Sequence, residues 1–316
     1  MTDTAHPIVW LHHAGQHLGL VPSLGAGVAA WQIDDPKGEP DAQGLPARMD
    51  LWRPWDGQTP DLYQMASFGM VPWSNRISGG GFSHGGQTYP MQPNRDGEPY
   101  PIHGDGWLQA WVLTQPAPDT VEMSLHSAFF DGNPYDYDCV QTFQLVDGGL
   151  DQRVMVRHRG VQPLPYGLGL HPWFPRTPTT RITAPVQGVW LSGADPLPTQ
   201  HTTQVLDGWD LNAGMSAHGT LIDNAYTGWG GTARIEWPER GLQLTAHMPD
   251  FDKDGGTPKH YCLVYRPPQG PAFCFEPVTQ PIDAFHQPGQ PGLRVLSQGE
   301  SMELNVQWRY GPLAGA

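Results

Sequence analysis

Short stretches in which apolar and polar residues alternate recur along the whole chain. WLQAWVLTQ, TVEMSLHSAFF, DYDCVQTFQLV and LDQRVMVRH follow one another at roughly a dozen residues, each rich in β-branched or aromatic residues, the spacing of a large antiparallel sheet system and not of βαβ units. The separators PAPD, DGNP, VDGG and RGVQP are turn sequences. Upstream, IVWLHH, LGLVPSLGAGVAAWQIDD and MDLWRP read as a meander; downstream, TARIEWP, LQLTAHMP, KHYCLVYRP, AFCFEPV and SMELNVQWRY continue the pattern. No segment carries a sustained helical stripe, so helices are expected to be short or absent. The predicted fold class is all-β, a large distorted antiparallel β-sandwich. No repeat, low-complexity tract or linker divides it, so residues 1–316 are expected to form a single domain.

One strand departs from alternation. AFCFEPV is an apolar, aromatic run that reads as buried on both faces, yet it contains Glu276. An unpaired buried carboxylate is costly, so Glu276 has partners or a raised pKa, and either suits a general base. Two facing sheets also leave a concave face, and one lined by Trp, His and a few charges suits a saccharide, whose apolar faces pack on aromatic rings while its hydroxyls take polar partners.

Composition narrows the partners. The net charge is -14 with 31 acidic and 17 basic residues and no basic run, which argues against nucleic acid and against anionic membranes. Cys139, Cys262 and Cys274 show no C-x-x-C spacing, which predicts a reducing compartment with neither disulfides nor a zinc site. MTDTAHPIVWLHHAG lacks the pattern of a secretory signal, and no apolar stretch reaches a membrane-spanning length. The expectation is a soluble cytoplasmic protein, monomer or homodimer.

Candidate chemistry gathers at a few positions. The stretch FGMVPWSNRISGGGFSHGGQTYPMQPN places Arg76 beside glycines 79–81, a fixed cation on a backbone able to approach a ligand. His103 in IHGDGW is either a turn histidine or an approachable ring, and His171 in GLHPWF is either a core residue or an acid–base group. Asp223 in LIDNAY reads locally as an Asx-turn residue, residues 56–65 as loop, and Arg53 as solvated. His12 and His13 point to opposite strand faces, and H-x-H, H-E-x-x-H, G-x-S-x-G and phosphate-loop motifs are absent, so no metal is expected.

In order, NRI with GGGF, G-x-x-Y with Asn94, HG at 103, HPWF at 171, the Asp after an apolar run, EP at 276 and the closing GLRVLSQGESMELNVQWRY resemble the aldose 1-epimerase family, the galactose mutarotase-like proteins, over nearly the whole chain. The resemblance implies the galactose mutarotase-like supersandwich and interconversion of the α and β anomers of a free hexose or related aldose, without a cofactor. It implies Glu276 as general base, His171 as general acid, His103 assisting at the ring oxygen, and Arg76, Asp223 and Asn75 as substrate-binding residues. Pro172, Trp173, Phe174 and Pro175 depart from the common pattern after the central histidine, and WRPWDG and the loop 250–259 with FDKDGG are expected to shape the pocket. The alternative is a non-catalytic carbohydrate-binding or sensor protein on the same fold.

Overall fold

A computed structural model describes residues 6–35, 37–249 and 260–313. Three of the four alternating runs form strands where the pattern puts them, and the first does so only from Val112, its start being a three-residue helical turn at Gly106–Leu108. Val112–Ala117, Thr120–Ala128, Asp136–Val146 and Gly149–His158 lie side by side, each antiparallel to the next. Along Asp136–Val146 every second side chain, from Tyr137 to Leu145, is buried, as the two-residue period of a strand requires. The sheet continues with Ser301–Pro312, which pairs with both Gly149–His158 and Leu242–His247. Thr232–Trp237, Arg181–Thr183 and Met215–Ser216 complete its nine strands.

A second sheet runs Pro198–Thr202, Gly188–Ser192, Ile222–Trp229, His260–Arg266, Ala272–Val278, Gly169–Leu170 and Gly69–Met70, and Trp173–Pro175 also pairs with Ala272–Val278. The main core lies between the sheets: Phe143, Val154 and Trp308 from the first join Phe174, Phe273 and Phe275 from the second. Phe174 and Trp308 meet with ring centroids 6.0 Å apart. Truncating such a residue, as in Phe275→Ala, costs about 3–5 kcal/mol.

The second sheet is covered on its other side too, and Ala272–Val278 is buried throughout. Phe273 and Phe275 face the first sheet, while Val278 faces a cover that includes Leu62, Met65, Phe68 and Trp107, and Cys274 packs with Trp173, Tyr63 and Tyr265. By the same alternation Glu276 faces that cover, as do Leu263 opposite it and Asp223 two strands away. The candidate residues Glu276 and Asp223 therefore share the face turned away from the main core.

Smaller parts complete the fold. A four-stranded meander, Val9–His13, Gln16–Val21, Gly27–Asp34 and Arg48–Asp50, joins the core through Trp31, Trp52 and Trp308, packed edge to face in series. The helical segments among the described residues are three-residue turns, and none is long and apolar enough to cross a membrane.

Some local expectations fail. Asp223, which reads as a turn residue, lies inside the strand Ile222–Trp229. Arg53 is not solvated: its guanidinium lies 4.2 Å from the centre of the Trp173 ring and donates to the carbonyls of Tyr63 and Met65. Glycines 79–81 turn the chain into the hairpin Gly81–His84 and Gln87–Pro90 instead of opening space for a ligand. A Cβ at Gly81 would lie 2.0 Å from the Tyr89 carbonyl oxygen. The FDKDGG loop at 250–259 lies outside the described residues.

Candidate active site

His103 stands on a loop that is tied down from several sides. Bridges pair Arg76 with Ile102 and Val71 with Gly104. Asn94 closes the loop, its Nδ2 donating to the carbonyls of Ile102 and Gly104 and its Oδ1 accepting from the Ile102 N–H, each at 2.8 Å. At Gly104 a Cβ would lie 1.9 Å from the Val71 carbonyl oxygen, so only glycine fits. Beneath it, the Asp105 carboxylate accepts from Tyr137 Oη, Asn133 Nδ2 and Ser127 Oγ, which anchors the loop to the nine-stranded sheet.

This anchoring sets the chemistry of His103. Its backbone is left-handed, with φ 60°, and its Nδ1 accepts the Asn75 N–H at 3.0 Å. That bond places the ring hydrogen on Nε2. Burial, with His171 and Arg76 adding to it, pushes the His103 pKa well down, so the ring is a neutral donor.

His171 follows the strand Gly169–Leu170, and its N–H donates to the Phe68 carbonyl at 2.9 Å. The ring stacks on Phe68 at 4.6 Å and on Trp173 at 5.6 Å, and it meets His103 edge-on at 5.2 Å. Its Nε2 is 3.6 Å from Glu276 Oε1. Both side chains are buried, and neither His171 Nδ1 nor Glu276 Oε2 has a hydrogen-bond partner. Burial raises the Glu276 pKa well above the carboxylate range, with Asp223 adding and Arg76 opposing. Burial also lowers that of His171 to about 3. Burial thus works against charge on both members of the pair.

Arg76 forms the far wall. Its Nε and Nη2 donate to the two oxygens of Glu98 at 3.0 and 3.1 Å, and its Nη1 donates to Asp223 at 3.2 Å. Burial works against the guanidinium charge, but Asp223 and Glu98 outweigh it and the pKa rises. Asn75 turns its Oδ1 onto the Arg76 N–H at 2.9 Å, so its visible work is to hold Arg76 and His103. The structure therefore brings Glu276, His171 and His103 into one cluster, with Arg76 and Asp223 paired beside it.

Three further residues belong here. Glu98 braces Arg76, Asp105 anchors the His103 loop, and Tyr63 lies against both histidine rings, at 5.9 Å from His103 and 5.6 Å from His171. Sequence reasoning passed over all three, because each stands in a polar or glycine-rich stretch whose signal is loop. Only the acid in the short IHGDGW run carries a hint, a charge between residues that bury.

The arrangement suits proton transfer on a hydroxylated ligand. Glu276 and His171 exchange protons with ligand oxygens, His103 donates from Nε2, and the paired Arg76 offers hydrogen bonds without excess charge. Among the described residues, one set with metal-ligand spacing is His171, Cys274 and Glu276, whose ligand atoms lie within 4.8 Å of one another. Burial, with Glu276 adding, pushes the Cys274 thiol well up.

Known proteins resemble this chain in sequence and in fold. The family profile described as Aldose 1-epimerase matches residues 11–309. An uncharacterized Escherichia coli K12 protein, YphB, is 32% identical over 252 residues, covering 76% of this chain and 83% of that one. The crystal structure of a candidate aldose 1-epimerase from Escherichia coli K12 superposes with a TM-score of 0.85 at 27% identity, covering 98% of this chain and 100% of the other. A galactose mutarotase-like protein from Clostridium acetobutylicum shares the fold, with a TM-score of 0.79 at 16% identity over 99% of this chain and 97% of its own.

Proposed function

Since the chain belongs to the aldose 1-epimerase family, we propose that it is a cofactor-independent mutarotase that interconverts the α and β anomers of a free hexose or related aldose. The observation that carries this reading is the buried His171–Glu276 pair, 3.6 Å apart and holding unpartnered polar atoms. A binding protein needs partners for hydroxyls. It does not need a proton donor and acceptor kept away from water.

In this reading a proton passes from Glu276 to His171 once substrate is bound, because burial favours the neutral forms in the free protein. Glu276 then removes the anomeric hydroxyl proton while His171 protonates the ring oxygen. The pyranose opens to the aldehyde, rotation about the C1–C2 bond exposes its other face, and re-closure returns both protons. His103 assists at the ring oxygen through its Nε2–H, and Arg76, Asp223 and Asn75 bind or position sugar hydroxyls. After ring opening Glu276 holds the proton and His171 is neutral, which is the distribution that burial favours in the free protein. Each of the two proton transfers contributes about 10²–10⁴ in rate.

Arg76 also bears on the substrate. With Glu98 and Asp223 both on its guanidinium, it favours neutral hydroxyls over an anionic substituent. The three cysteines are free and buried, which supports a reducing, cytoplasmic setting. The test is polarimetry or exchange NMR on a panel of aldoses. Accelerated anomer exchange of at least one sugar is expected. Sugar binding without any acceleration would assign the chain to the non-catalytic alternative.

A further inference from the structure

Like His171 and Glu276, Tyr63 carries a buried polar atom whose hydrogen bonding the described protein leaves incomplete. The three-residue turn Leu62–Gln64 that carries it is capped by Asp61, whose carboxylate accepts the Tyr63 N–H at 3.0 Å. Arg53 fastens the same turn from the other side by donating to the Tyr63 and Met65 carbonyls, while its own N–H donates to the Trp173 carbonyl at 2.7 Å. The turn is thus locked to the segment that bears His171.

The ring is held as tightly as the backbone. One side meets His171 and Phe68, at 5.6 and 5.7 Å, and the Arg95 guanidinium lies 3.3 Å from the ring centre. Yet the phenol oxygen is buried and its O–H finds no acceptor among the described residues. Burial raises its pKa, and Arg95, by its charge and as a hydrogen-bond donor to the phenol oxygen, works against that rise. A guanidinium cannot accept, so the phenol hydrogen is what remains without a partner. A protonated phenol beneath a cation is a stronger donor than an ordinary one, and a buried donor left unpaired destabilises the free protein.

Resting on the mutarotase reading of the same site, we infer that Tyr63 is a substrate-binding residue whose hydroxyl donates to a sugar oxygen next to the reacting carbon. The sugar completes the bond that the fold leaves open. Two consequences of opposite sign follow. Removing the hydroxyl weakens substrate binding, and it relieves the free protein of an unsatisfied group.

Tyr63→Phe separates these. In mutarotation assays it should raise KM about five- to tenfold, the size of one neutral hydrogen bond, with kcat within about threefold. Its Tm should equal or exceed that of the wild type, whereas a merely structural tyrosine would lose stability along with activity. On a series of monodeoxy sugars, the penalty should vanish for the one lacking the contacted oxygen. Unchanged kcat/KM in Tyr63→Phe on every aldose turned over, or a penalty equal on all deoxy sugars with a lower Tm, overturns the inference. If the wild type accelerates no aldose, the parent reading fails and this one with it.

Discussion

Asp105 and Glu276 are carboxylates buried to the same depth, 2% and 3% exposed, and the protein treats them in opposite ways. Asp105 receives donors from Tyr137, Asn133 and Ser127. Glu276 has one oxygen 3.6 Å from His171 and the other with nothing. Burial lifts both pKa values, Asp105 to about 6 against the pull of its three donors, and Glu276 well above the ordinary range. A buried acid whose hydrogen bonds are complete is scaffold, and one whose bonds are open is kept for something that arrives. Depth alone does not distinguish them; partners do.

The largest effect should come from Glu276→Gln. Mutarotation should fall by about 10²–10⁴ in polarimetric assays, while the thermal melt stays at or above the wild-type Tm because a costly buried carboxyl has gone. A lower Tm with retained activity would erase the contrast with Asp105. Next comes His171→Asn, for which kcat should drop by about a hundredfold with little change in KM, since proton donation acts in the transition state. A change confined to KM would make His171 a binding residue.

Asp105→Ala should reverse the pattern. Stranding three donors costs about 3 kcal/mol in denaturant unfolding, and activity should fall only as far as the His103 loop loosens. The smallest effect is in pH. Asp105 keeps its proton in the folded state up to about 6, against 3.8 for the free side chain, so its contribution to stability is full below the lower value and is lost as pH rises through the upper. Urea midpoints at about pH 4 and pH 6.5 should show wild type losing stability relative to Asp105→Asn across that window. Equal slopes would mean that the donors compensate burial completely.

The same contrast explains what the sequence made legible. Glu276 stood out because a charge in the run AFCFEPV violates the pattern around it, and the alternating segments announced the strands of both sheets. Asp223 was hidden because Asp followed by Asn looks like a turn, although here Asn224 Oδ1 accepts the Asp223 N–H within a strand. Arg53 and Tyr63 were hidden because a polar, proline-containing segment carries no period, and their partners Trp173 and Arg95 lie far along the chain. The glycines at 79–81 misled because positive φ serves a hairpin as readily as a ligand. Strand period is local and can be read; the closing of one segment over another is tertiary and cannot.

The strand Ser301–Pro312 also bears on how the molecule is made. It fills the gap between Gly149–His158 and Leu242–His247, and of the described strands it is the last to leave the ribosome. Until it arrives, both neighbours expose hydrogen-bonding edges in the middle of the largest sheet, where another nascent chain can pair. Closure of the largest sheet thus waits on the most C-terminal of the described strands.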